Sequence, residues 1–176
     1  MTLTYREFWT LTHGMGLGAL FLLGFAGGLA GLYSYRAEWL CEGGLRERML
    51  RLDLGTGLMA LASWLTVISG TWIVYPWYRA TPPEGADLRV FPRAFLLDNP
   101  NLAAWHTFGM EWKEHVAWIS PILATIVFFG VVYYGRNLAH EPRARKMLIT
   151  LFVLSFAAAA IAGLFGALIT KAAPIL

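Results

Sequence analysis

The chain has 176 residues, of which 57% are hydrophobic and 14% are charged, and its mean hydropathy is +0.54. This composition excludes a disordered chain and an ordinary water-soluble domain. The net charge of +3 is small and its charges are scattered along the chain. It therefore gives no indication of nucleic acid as a partner.

Four long segments contain no Asp, Glu, Lys or Arg and mark the predicted helices. They are residues 11–33, 54–75, 116–134 and 147–170, with lengths of 23, 22, 19 and 24 residues. Each is long enough to cross a hydrocarbon layer about 30 Å thick at a rise of about 1.5 Å per residue. None alternates in polarity as the strands of membrane barrels do. The sequence predicts an all-α fold, a bundle of four transmembrane helices that forms one domain (1–176) in the lipid bilayer.

The first predicted helix is rich in glycine. Pairs of glycines stand four residues apart in it: Gly14 and Gly18, Gly24 and Gly28, and Gly27 and Gly31. This spacing lets a second helix approach closely. A glycine face also leaves room for a flat macrocycle, and both interpretations stay open.

The distribution of basic residues predicts the orientation in the membrane. Two short connections, residues 34–53 and 135–146, hold eight of the fourteen Lys and Arg residues. By the positive-inside rule these connections face the cytoplasm. Both termini and the long connection of residues 76–112 are then expected on the external face, which is the periplasm for a bacterial inner membrane.

The long connection between the second and third predicted helices is proline-rich and aromatic. It holds five of the eight prolines, so we expect little regular structure in its first part and packing of its aromatic residues on the membrane surface. From Asn101 to Trp112, apolar and polar residues alternate in a pattern compatible with a short interfacial helix.

Two histidines at similar depth on parallel helices predict a haem site near the external face. His13 lies just inside the first span and His115 at the edge of the third, and a bis-histidine haem b takes one imidazole from each side of the porphyrin. Pro121 cannot donate to the Ala117 carbonyl, so we expect a bend below His115. Two interpretations stay open: the bend aims His115 inward, or Pro121 is an early-turn proline that the helix tolerates where it enters the bilayer. The glycines that would leave space for the porphyrin are Gly14, Gly16 and Gly18. The basic residues that would pair with the haem propionates are Arg79, Arg93 and Lys113.

Two alternatives to haem stay open. If the chain bends at Gly109, an imidazole, a thioether and carboxylates meet in a mixed site for a copper or iron ion. This alternative metal group consists of His106, Met110, Glu111 and Glu114. The other alternative has no cofactor, because histidines at helix ends often only bond carbonyls or headgroups, and the protein is then a structural anchor of a membrane complex.

The sequence resembles small four-helix integral-membrane b-type cytochromes. The features that carry this resemblance are the four spans, the histidines on parallel helices (His13 and His115) and the glycine-rich helix. The resemblance implies one haem b, because the other membrane face offers only His140 in a polar connection. It also implies electron transfer between a quinol and an external acceptor such as a periplasmic c-type cytochrome, together with other membrane subunits of a redox complex. No nucleophile motif or soluble catalytic domain is present, so any enzyme activity would belong to that oxidoreductase complex.

Overall fold

A computed structural model describes residues 2–174, apart from the side chain of Glu42, and these residues contain helices but no strand. The helices in chain order are α1 (Tyr5–Ser34), α2 (Gly43–Tyr78), α3 (Pro92–Asp98), α4 (Trp105–His140) and α5 (Pro142–Ala172). Among the described residues, α1, α2, α4 and α5 are long and apolar enough to cross a membrane. The predicted all-α class with four apolar spans is therefore confirmed.

Each long helix begins before the predicted span. The first three of these starts are Tyr5 instead of residue 11, Gly43 instead of residue 54 and Trp105 instead of residue 116. Charged residues are tolerated where a helix leaves the hydrocarbon layer. A search for segments without charged residues therefore finds only the part of each helix inside that layer. Most of the segment expected as an interfacial helix forms the first turns of α4. The short helix of the connection is α3 instead.

Capping side chains and prolines mark the starts of three helices. At α1 the Glu7 amide donates to Thr4 Oγ1 (3.2 Å) and the Thr4 amide donates to Glu7 Oε2 (2.7 Å), which satisfies two backbone donors reciprocally. Both α3 and α5 begin with a proline, Pro92 and Pro142. A proline is tolerated there because the first helical residue has no intrahelical acceptor for its amide.

The helix α4 is interrupted where the sequence predicts a bend. Residues 116–118 leave the regular helix between His115 and Ile119. Pro121 has no amide proton to donate to the Ala117 carbonyl, and its ring crowds that carbonyl. The interruption therefore follows from the position of one proline.

The chain divides into two compact units. The first unit comprises the N-terminal segment to Gly18, Leu65–Trp118 and the C-terminal segment from Ala159. The second unit comprises Ala19–Trp64 and Ile119–Ala158. The first unit thus contains the long connection, and the second contains both arginine-rich connections.

Within the second unit, glycines let helices meet at backbone distance. A Cβ atom on Gly24 would lie 2.6 Å from the Met59 amide nitrogen, and one on Gly55 would lie 2.6 Å from the Gly28 amide nitrogen. A Cβ atom on Gly28 would lie 2.7 Å from Phe152 Cζ. Carbon atoms do not approach so closely, so only glycine permits this packing of α1 against α2 and α5.

The first unit has an apolar core to which the connection contributes. Its buried members are Tyr78, Leu96, Met110, Ile169 and Ala173. Leu96 lies on α3 and is fully buried. Burial of a leucine contributes about 1.5–3 kcal/mol, so α3 is held to α2, α4 and α5 by apolar contacts.

Large apolar side chains also cover the outside of the long helices. Examples on α1, α2, α4 and α5 are Leu22, Leu23, Leu61, Ile126, Phe129, Leu154 and Leu164, each more than a third exposed. Apolar surface on this scale is not stable in water. A lipid bilayer is the environment that covers it.

Candidate functional site

Three π-helical turns lie in the first unit: Thr12–Gly16, Gly70–Val74 and Trp105–Met110. Such turns are rare in proteins and are frequent at functional sites. The first turn contains His13 and the third contains His106. The candidate site comprises the surroundings of these two histidines and of His115, which belongs to the same unit.

His13 is partly buried and is held by α2. Its Nδ1 atom lies 3.1 Å from Ser69 Oγ, and Ser69 Oγ donates a hydrogen bond to the Thr66 carbonyl (3.1 Å). In the tautomer with its proton on Nδ1, His13 donates to Ser69 Oγ and keeps a lone pair on Nε2.

Gly70 provides the surface against which the His13 ring packs. A Cβ atom on Gly70 would lie 2.8 Å from His13 Cε1. No side chain larger than hydrogen fits there without moving the imidazole. The helix α2 thus presents one hydroxyl and a bare stretch of backbone to His13.

His115 lies on α4 and its side chain is 71% exposed, so the interruption near Pro121 does not aim it inward. Its Nδ1 donates to the Glu111 carbonyl at 2.9 Å, and the Glu111 carboxylate lies 3.6 Å from the same nitrogen. Its Nε2 has no hydrogen bond to the residues that the structure describes. Iron-ligating histidines are held in this way, with one nitrogen bonded to the protein and the other available to the metal.

The glycines expected to leave space do face open space. A Cβ atom on Gly14, Gly16 or Gly18 would meet no heavy atom within 4 Å, whereas Gly24 and Gly28 are in tight contact. Close helix packing is therefore observed at Gly24 and Gly28, and room for a macrocycle beside Gly14, Gly16 and Gly18 stays a prediction.

The three basic residues expected at the propionates have different surroundings. Arg93 donates from Nε to His106 Nε2 (3.3 Å), and the Arg79 guanidinium lies 5.4 Å from the centre of the Tyr75 ring. Lys113 is packed against Gly166, where an added Cβ would lie 2.6 Å from its Nζ. Among the described residues, none of the three forms an ion pair with a carboxylate.

Buried polar atoms beside the predicted ligands lack protein partners. The indole Nε1 of Trp112 and the Thr10 Oγ1 atom are buried without a hydrogen bond to the described residues, as is Glu114 Oε1. Trp112 precedes Lys113 in the sequence, and neither the indole donor nor the ammonium group has a carboxylate acceptor among the described residues. A carboxylate such as a haem propionate satisfies donors of this kind, and in this respect the residues fit the group.

His106 belongs to a different network, which sequence reasoning did not identify. It is 8% exposed, accepts from Arg93 at Nε2, and therefore donates from Nδ1 to Tyr78 Oη (3.0 Å). Tyr78 stacks on Tyr75 with a centroid separation of 6.3 Å. The network joins α2, α3 and α4, and both nitrogens of His106 are occupied.

The alternative metal group is spread over several environments. Met110 lies in the apolar core, and the Glu111 side chain is 48% exposed. The chain does not leave the helix at Gly109, where an added Cβ would lie 3.5 Å from Phe165 Cδ1. Groups of three or more His, Cys, Asp or Glu that could hold a metal ion are absent from the described residues. The copper or iron site stays a prediction.

Comparisons with protein-family models, with curated proteins and with solved structures find no match to this chain.

Proposed function

We propose that this protein is a membrane-embedded electron-transfer subunit that binds one haem b through His13 and His115. The observation that carries the proposal is the environment of the His13 side chain, in which Ser69 orients the ring and Gly70 leaves room for it. An ionisable residue in a membrane helix indicates a functional site by default. His13 is such a residue, and Ser69 and Gly70 of α2 pack against its ring. His115 supplies the second free Nε2 in the same unit.

Haem b, when bound, supplies one-electron transfer at a potential set by its ligands and surroundings. Ser69 and the Glu111 carbonyl orient the two imidazoles, and Lys113 and Trp112 offer donors to the propionates. Gly14, Gly16 and Gly18 leave α1 without side chains beside His13. The open glycine face also offers a contact for other membrane subunits of a redox complex. A quinol as donor and a periplasmic c-type cytochrome as acceptor follow from the resemblance to b-type cytochromes.

The test is a reduced-minus-oxidised visible spectrum with a pyridine haemochrome assay on the full chain, purified in detergent after expression with ample haem. We expect a b-type spectrum and about one haem per chain. His115→Ala should lose most of the haem, and its thermal stability should equal that of the haem-free wild type, because the side chain is exposed and bound haem itself stabilises the folded state. His13→Ala should lose it as well.

His140→Ala is the matched control, because this exposed histidine lies in the second unit. It should keep the haem of the wild type. A colourless wild-type protein, or full haem retention in the His115→Ala variant, would contradict the proposal. In that case metal analysis of the same sample tests the alternative metal group.

A further inference from the structure

A groove of about 590 Å³ lies along the second unit between α1 and α2. Small residues of α1 line one side, and residues of α2 line the other. The lining is Gly27, Ala30, Gly31, Ser34, Arg48, Arg51 and Leu54. The groove is apolar along most of its length and carries two arginines at the end next to the connection of α1 and α2.

The groove arises because some glycines bring α1 and α2 into close contact, while a neighbouring glycine faces open space. Gly55 meets the backbone of Gly28, and a Cβ on Gly31 would lie 3.0 Å from Leu52 Cδ1. A Cβ on Gly27 would meet no heavy atom within 4 Å. The helices touch on one side of these glycines and leave space on the other.

The two arginines at the end of the groove are three residues apart on α2 and therefore share a face. Both are exposed. Arg51 forms an ion pair with Glu47 one turn earlier. Arg48 forms no ion pair with a carboxylate among the described residues.

We propose that this groove binds one anionic phospholipid, with its phosphate on Arg48 and Arg51 and an acyl chain along Gly27, Ala30 and Leu54. The charge of the arginines matches the phosphate, and arginine side chains next to a membrane span attract anionic lipids. The apolar length beyond the arginines matches an acyl chain, which a free phosphate lacks. None of these residues belongs to the proposed haem site. The lipid site and the haem site are therefore tested independently of each other.

Native mass spectrometry of the detergent-purified full chain tests the proposal with dioleoyl phosphatidylglycerol (DOPG) and dioleoyl phosphatidylcholine (DOPC) as probes. The wild type should retain DOPG in preference to DOPC. Arg48→Gln and Arg51→Gln should each lower DOPG retention about fivefold. Arg46→Gln is the matched control, since Arg46 is exposed on the same helix but does not line the groove.

A second pair of variants changes the shape of the groove without changing its charge. Gly27→Leu should lower DOPG retention by filling the apolar part. Gly163→Leu, on α5, adds the same side chain at another open glycine and should leave retention unchanged. Inorganic phosphate added in excess should not displace DOPG.

Three results would overturn the proposal. Equal retention of DOPG and DOPC, or equal effects of the Arg46 and Arg48 variants, would show that the groove does not select the lipid. Displacement of DOPG by inorganic phosphate would reduce the site to an anion site. Conversion of a dimer to a monomer in Gly27→Leu with unchanged DOPG retention would assign the groove to a second copy of the chain.

Discussion

His13 shows how a single residue in a membrane helix is fixed by its neighbours. One ring nitrogen is bonded to Ser69, and the ring edge rests on Gly70. A buried imidazole without a partner is costly in an apolar environment, so the hydroxyl stabilises the ring where it lies. The bare backbone of Gly70 then decides where that ring can be.

Gly70→Ala tests this arrangement, because the added methyl group would overlap His13 Cε1. We expect overpacking to lower the free energy of unfolding by about 1–3 kcal/mol and the haem content to fall with it. The measurements are thermal unfolding in detergent and the haemochrome assay. Gly163→Ala, at an open glycine of α5, is the control and should lower neither. Equal behaviour of the two variants would mean that Gly70 does not position His13.

At the scale of helices, glycine positions determine which faces pack. Gly27 and Gly28 are neighbours in the sequence, yet an added Cβ on Gly28 would collide with Phe152 and one on Gly27 would meet nothing. Adjacent helix positions point about 100° apart. One faces α5 inside the second unit, and the other lies in the groove.

Gly28→Ala and Gly27→Ala make a matched pair for this packing. Gly28→Ala should lower the free energy of unfolding by about 1–3 kcal/mol, because the Phe152 ring must move. Gly27→Ala should be neutral or stabilising by up to about 1 kcal/mol, because alanine favours the helix and nothing opposes it. Unfolding of both variants in the same detergent measures the difference. If Gly28→Ala is as stable as Gly27→Ala, the close contact of α1 with α5 is wrong.

At the scale of the whole molecule, the arginine-rich connections and the long connection belong to different units. The positive-inside rule expects the former in the cytoplasm. The exposed Cys41, in the connection of α1 and α2, and the exposed Glu84, in the long connection, are suitable positions to test this expectation.

Labelling of cells with a membrane-impermeant maleimide is the corresponding experiment. Glu84→Cys in a Cys41→Ser background should react in intact cells once the outer face is accessible. Cys41 of the wild type should react only after the inner membrane is permeabilised. The reverse pattern would invert the orientation and move the proposed haem to the cytoplasmic side. Cys41→Ser alone is the unlabelled control.

The sequence by itself determined that the described residues form four helices long and apolar enough to cross a membrane, because length and absence of charge are local properties of each segment. It could not determine their starts, since charged turns beyond the hydrocarbon layer remain helical, as the first turns of α4 from Trp105 do. It did determine the interruption in α4, because Pro121 acts on a carbonyl only four residues away.

The site depended far more on the tertiary structure. The histidines His13 and His115 were visible as polar groups near the ends of apolar segments, but the partner of His13 is 56 residues away on another helix. The network of Tyr78 and Arg93 around His106 likewise joins separate elements. Whether a glycine packs against a helix or faces open space is also decided by the neighbouring helix. Sequence pattern fixes which residues lie on a helix, and only packing between helices fixes what each residue touches.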